Sequence, residues 1–330
     1  MHARKSLLSL AILLAASGSA LADSSTVNAT QTGSNLSLSV EQERATQSTV
    51  TINQTGSDNE AGSSTGPATK QTASYSTLTI NQSGRDNATH ATQAGNNNSA
   101  SVTQVGDLRQ NAWLDQAGAY STATISQIGN YRTNADITQG NGRNNNASIS
   151  QISNGATASA TISQSGSYNQ AVISQQNNIF QVGGTISQSG NANAGSVSQQ
   201  GSYFQVSARL EQVGNNNTGA IQQIHATQSR ANALQSGDYN TVNAYQNGVA
   251  LRANIQQYGN SNDVSSTQTG AYNEESLLQS GNNNRAVVSQ SGTGDAYALN
   301  TINVTQSGNY QVANVSQSGG SGNIAAVYQH

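Results

Sequence analysis

The chain has no cysteine, one proline, one tryptophan and two phenylalanines in 330 residues, and only 8% of it is charged. Without cysteine there is no disulfide framework, although this does not fix the compartment. Leu, Ile, Val and Phe are scarce, so an ordinary three-dimensional hydrophobic core is excluded. No basic patch points to nucleic acid. Asn, Gln, Ser, Thr, Gly and Ala dominate instead. Taken alone, that composition signals disorder or an aggregation-prone Gln/Asn-rich segment.

The spacing of the glutamines argues for order. Between Gln235 and Gln290 a glutamine recurs every eleven residues, and a glycine follows two positions after each. The unit QSGNNNRAVVSQ, Gln279 to Gln290, has fixed points at Gln279, Gly281, Asn284, Ala286, Val288 and Gln290. The same points recur as Gln93, Gly95, Asn98, Ala100, Val102 and Gln104, and as Gln164, Gly166, Asn169, Ala171, Ile173 and Gln175. Ala286, Val288 and Gln290 are two apart and share one face of a strand, while Val287 and Ser289 take the other. Gly and Asn tolerate positive φ, so Gln-Ser-Gly-Asn-Asn-Asn is turn chemistry, with Gly95, Gly166, Gly281 and Gly308 as turn glycines. Each unit is one strand and one turn, which is marginal alone and must stack on its neighbours.

Followed from Gln31 to Gln329, the series has 26 glutamines and 25 intervals, fourteen of them eleven residues long. Nine of the eleven longer intervals are odd-numbered, so the unit has two strands and two unlike turns, one tight and one tolerant of insertion. The pattern predicts an all-β fold, a β-solenoid of about thirteen two-stranded rungs of roughly 22 to 24 residues. Residues 60 to 70, with Pro67, and residues 291 to 299 are expected as loops on the tolerant edge. In the thin core, Ala, Val, Ile and Leu share space with Gln and Asn. Stacked at about 4.8 Å, identical amides satisfy one another as a ladder. The ladder residues are Gln31, Gln42, Gln93, Asn98, Gln104, Gln164, Asn169, Gln175, Gln279, Asn284, Gln290, Gln306 and Gln317. Those near the ends, Gln31 and Gln42 at one and Gln306, Asn314 and Gln317 at the other, are expected to present unpaired amides to another molecule.

The amino terminus carries Arg4 and Lys5, an apolar run from Leu7 to Ala16 and a small-residue site at Ala20-Leu21-Ala22. This is the pattern of a secretory signal peptide over residues 1 to 22, with the repeats in 23 to 330. Removing Arg4 and Lys5 from the 12 basic residues leaves ten against 15 acidic, a net charge of −5. No second apolar segment is present, so no membrane span is expected in the mature chain. No catalytic, cofactor or metal residues emerge. Gly62-Ser63-Ser64-Thr65-Gly66 matches a G-x-S-x-G elbow in form only, because it lacks the strand-to-helix context and its histidines are scattered. Charges such as Asp58, Asp86, Arg132, Asp238, Glu274, Glu275 and Asp295 are placed in or beside turns, as solvated residues or as gatekeepers against premature stacking. Tyr75, Tyr120, Tyr131, Tyr168, Tyr203, Tyr239, Tyr272 and Tyr310 lie four after a marker glutamine and are expected to pack on the turns.

The unit Gln-x-Gly-x-x-Asn-x-Ala-x-x-x-Gln resembles the curlin repeat. Nineteen of the 25 intervals have the glycine in place. The resemblance implies a secreted subunit of a bacterial functional amyloid, which passes an outer-membrane curli-type secretion pore and joins a homopolymeric fibre started by a nucleator subunit. The fibre serves the biofilm matrix, adhesion and surface colonisation. The family's nucleator has a basic terminal repeat, whereas Ala325 to His330 is uncharged apart from its histidine, so this end is similar to the major subunit. The alternatives are a nucleator or minor subunit, and a non-assembling β-solenoid adhesin that binds ice or carbohydrate.

Overall fold

Every residue pattern that predicts a strand has an inward face of Ala/Val/Ile followed by Gln, and these faces meet in two parallel sheets. The computed structural model describes residues 24–62, 68–107, 109–155 and 157–330. The expected signal segment and most of the G-x-S-x-G match lie outside them. Among the described residues there is no helix; thirteen strands form one sheet and fifteen the other. The chain alternates between the sheets, and each strand pairs in parallel with the strand one rung away. This is a β-solenoid of thirteen rungs.

Register is set by the glutamines. Gln104 of Ser99–Asp107 pairs with Gln82 before it and Gln127 after it, and Ala100 and Val102 pair with Leu78 and Ile80. A slip of one residue would turn every Ala/Val/Ile outward, so the pattern locks the pairing. One continuous cluster runs through the molecule, with Ile52, Leu78, Ile80, Leu114, Ile125, Ile137, Ile149 and Ile162 among its fully buried side chains.

The two edges differ as the intervals predict. The arcs from the thirteen-stranded to the fifteen-stranded sheet hold all three thirteen-residue intervals and both longest ones. On that edge the longer arcs carry their own packing: Phe180 and Phe204 stack with centroids 5.6 Å apart, over a small cluster of Val182, Val206 and Ala226. The expected loop at 291–299 is there, but it starts only after Thr293, since residues 291–293 still belong to Arg285–Thr293, and Asp295 bridges to Ala298 within it.

The other insertion is not on the edge. Glu60–Ala61 and Thr69–Ser74 are two pieces of one rung strand, so the insertion interrupts the strand after Ala61 and does not lengthen the edge before it. Asn59 explains this. Its Oδ1 accepts the Asn87 backbone N–H at 3.1 Å, which holds the arc at normal length and makes the strand restart on schedule at Glu60. In the other case Asn300, which occupies the same ladder position, comes only after the extra residues.

The tyrosines are a further correction. Instead of packing on the turns, seven of the eight project outward, with Tyr168 56% and Tyr310 77% exposed, and Tyr272 is half-buried. Tyr75, Tyr120, Tyr168, Tyr239 and Tyr310 all have φ between 53° and 61°. That left-handed backbone closes the tight turn and aims the side chain away from it.

Candidate functional site: two amide ladders

Each rung strand ends on a glutamine whose side chain enters the core. All but the end members are buried. In the thirteen-stranded sheet the Nε2 of each glutamine donates to the Oε1 of the next, from Gln31 through Gln104, Gln175 and Gln290 to Gln317, at 2.7 to 3.1 Å. The second ladder runs from Gln42 through Gln93, Gln164, Gln279 and Gln306 to Gln329, at 2.7 to 3.0 Å.

The second amide proton is used as well. Gln93 donates across the core to the Thr77 carbonyl at 3.0 Å, Gln164 to Asn146 at 3.1 Å and Gln175 to Ser159 at 3.0 Å. This bond fixes the amide, because a flipped side chain would set Oε1 against a carbonyl. With Nε2 held toward the carbonyl, every amide points the same way, and both ladders are polar. Gln31 and Gln42 keep an Oε1 with no donor among the described residues. Gln317 and Gln329 keep a donor that reaches no further glutamine. Gln306 is not such an end: it already accepts from Gln279 and donates to Gln329. Sequence spacing placed it near the terminus, but Gln329 follows it on the last rung.

The asparagines form a stack of like amides only in part, as where Asn193 Nδ2 donates to Asn169 Oδ1 at 3.2 Å, and mainly bond the turn backbone. Asn169 Oδ1 accepts the backbone N–H of Asn193 at 3.0 Å, and its Nδ2 donates to the Gly190 carbonyl at 2.8 Å. Asn284 does the same for Gln311 N–H and the Gly308 carbonyl. Asn98 passes its bonds to Ser121 N–H and the Gly118 carbonyl. Each thus satisfies turn groups of the next rung that no strand would reach. On the tolerant edge this series breaks after Asn87, whose Oδ1 has no partner, where the next interval lengthens to twelve.

The turn glycines stack as closely as the amides. A Cβ on Gly95 would lie 1.7 Å from the Gly118 oxygen, on Gly166 2.0 Å from Gly190 and on Gly281 1.8 Å from Gly308. Gly308, with φ +136°, has only Gln311 Nε2 within 3.1 Å of that position.

One charged group was misplaced by its neighbours in sequence. Glu275 is not a turn residue: it is 1% exposed, inside the core on Asn273–Ser280. It shares the inward face with Leu277 and Gln279, and the even spacing of the three is the signal that would have found it. Burial pushes its carboxyl up to about 7, against a smaller lowering by the Ser266 hydroxyl, which donates to Oε2. Its Oε1 has no partner. Among the described residues no three His, Cys, Asp or Glu side chains gather to hold a metal, and no helix is long and apolar enough to cross a membrane.

These features define a class: a parallel β-solenoid closed on both edges by polar amide ladders, a structural repeat. One stretch of the rungs is similar to a known repeat family. Residues 76–106, which hold Gln82, Gln93 and Gln104 with their glycines, match the Curlin associated repeat, which supports a curlin-repeat assignment. No curated protein matches it.

Proposed function

We propose that this protein is a secreted structural subunit that assembles end to end into extracellular amyloid fibres of the curli type, serving matrix, adhesion and surface colonisation without catalysis. The polarity of the two ladders is the observation that carries this. The first described rung offers Oε1 acceptors on Gln31 and Gln42. The last offers donors on Gln317 and Gln329. A second copy joined head to tail continues both ladders and the parallel backbone pairing; joined tail to tail, donor would meet donor. The inner faces at the two ends are only half covered: Val27 and Ala29 at one end, Ala325 and Val327 at the other. Such open edges template another strand. Residues 1 to 22 supply the export signal in this scheme, and a nucleator and an outer-membrane pore of the family's type are its partners.

The test is X-ray fibre diffraction of the purified chain, with and without seeds. Fibres with a meridional reflection near 4.8 Å are expected. A chain that stays monomeric for days at micromolar concentration would refute the assignment.

A further inference from the structure

The outward faces of the sheets are mostly Ser, Thr and Asn, and the column around the tryptophan departs from this. On the fifteen-stranded sheet His90, Trp113 and Asp136 occupy the same column on three successive rungs. Trp113 is the only tryptophan of the chain and is 48% exposed. Its ring lies 4.0 Å from that of His90, tilted by 40°, so it is braced on one side and open on its outer surface. Asp115 follows two residues later on the same strand and face, held by the Thr92 hydroxyl at 2.6 Å. Asn111 precedes Trp113 by two and donates to Asn134 Oδ1 at 3.1 Å, which leaves the Asn111 oxygen and the Asn134 amide hydrogens for other partners.

Asp136 is the unusual member. Its Oδ1 is shielded from solvent and has no hydrogen-bond partner among the described residues. Burial first, and the charge of Asp115 second, push its carboxyl up. Two carboxylates therefore stand near each other beside an aromatic face, and the strands that carry them, Asn111–Gln116 and Asn134–Gln139, hold no basic residue. The neighbouring strand Ser159–Ser165 is uncharged, and Ala88–Asn96 has only His90. An amine would remove the repulsion, and a flat ring with hydroxyl groups would cover the indole. Aromatic faces also attract cations directly.

We propose that Trp113, Asp115, Asp136, Asn111 and Asn134 form a binding site for a protonated amino sugar, as in a glucosamine-containing polysaccharide. The sugar ring stacks on the indole, its ammonium group lies between the two carboxylates, and its hydroxyls meet the two amides. This site is independent of the fibre assignment, because the column sits on a side face and not at an end of the solenoid.

The test titrates the full chain with a glucosamine tetramer and follows the emission of Trp113. The acetylated tetramer, a glucose tetramer and tetralysine serve as comparison probes. A saturable change is expected with the glucosamine tetramer, at least tenfold tighter than with the other three. Asp136→Asn, which keeps shape and tryptophan, is expected to weaken binding at least tenfold. Trp113→Ala, followed by calorimetry, should abolish it. Both substitutions face outward, and unchanged circular dichroism checks that the rungs persist. No saturable change would overturn the proposal, as would equal binding of the acetylated or glucose tetramer. Tetralysine as tight as the amino sugar would reduce the site to charge alone, and unaltered affinity in Asp136→Asn would remove the carboxylate from it.

Discussion

Replacing Glu275 by Gln should stabilise the rungs around it increasingly as pH rises from about 4.5 to about 7, fully above that, and not below it. The side chain lies between Ala253 on the preceding rung and Ile302 on the following one, with Ser266 across the core. None of these carries a charge, so the carboxylate form has no compensation. In the unfolded chain the group titrates near its ordinary 4.5; folded, it holds its proton up to about 7. The sign follows from proton binding. Below the lower value both states are protonated and the penalty is absent. Between the two the unfolded state ionises first, so stability falls as pH rises, and it levels off above the upper value. At about 1.4 kcal/mol per pH unit between those values, the loss is about 3 kcal/mol. Gln cannot ionise and keeps the volume and a bond to Ser266. Contacts in a solenoid are local, so hydrogen exchange of Arg252–Tyr258, Asp263–Ala271, Asn273–Ser280 and Asn300–Ser307 is the suitable readout. After correction for intrinsic exchange, wild-type protection there should drop roughly a hundredfold from pH 4.5 to pH 8. Glu275→Gln should lose most of that drop. Identical pH profiles for the two chains would refute the placement of an uncompensated carboxyl in the core.

Replacing Gln317 and Gln329 by Ala should lengthen the lag of assembly and weaken seeding by wild-type fibres, while Gln188 and Gln199 to Ala should chiefly lower rung stability; seeded thioflavin kinetics compare the two pairs. Gln164→Leu keeps the volume but strands the amide of Gln139 and the oxygen of Gln188, so it should cost the local rungs about 2–5 kcal/mol, read by exchange at Asn134–Gln139 and Phe180–Ser189. A short Gly/Ser insertion after Gly201, on the tolerant edge, should leave assembly near normal, whereas the same insertion after Gly166, where rungs stack glycine on glycine, should slow it; equal delays would remove the difference between the edges.

The fold was legible because its two sources of information are periodic. Strand phase is written in Ala-x-Val-x-Gln, and edge identity in the alternation of long and short intervals. Both are properties of spacing. What spacing alone does not carry is direction: the one-way run of the amides depends on a cross-core bond such as Gln93 to the Thr77 carbonyl, and that bond joins residues sixteen apart on different strands. Likewise nothing in the length of the second insertion says whether extra residues leave before or after Asn59. The outcome depends on whether that asparagine keeps its place opposite Asn87, which is a contact between rungs and not a pattern within one.

The same distinction accounts for the two positions where the repeat is silent. Inward slots are held to Ala, Val, Ile or Leu by volume and to Gln by the ladder, so a Glu in one of them is an exception that parity exposes. Outward slots are held to almost nothing: Thr161, Thr185, Arg209, Asn232 and Asn254 fill the column that contains His90, Trp113 and Asp136. Rung stacking places any outward side chain within about 5 Å of its neighbours above and below. Three successive substitutions in one column therefore build a contiguous surface while leaving the core and both ladders as they were. In such a fold the inward code sets assembly, and specific recognition is free to arise on the outer face at any rung, which is where the tryptophan stands.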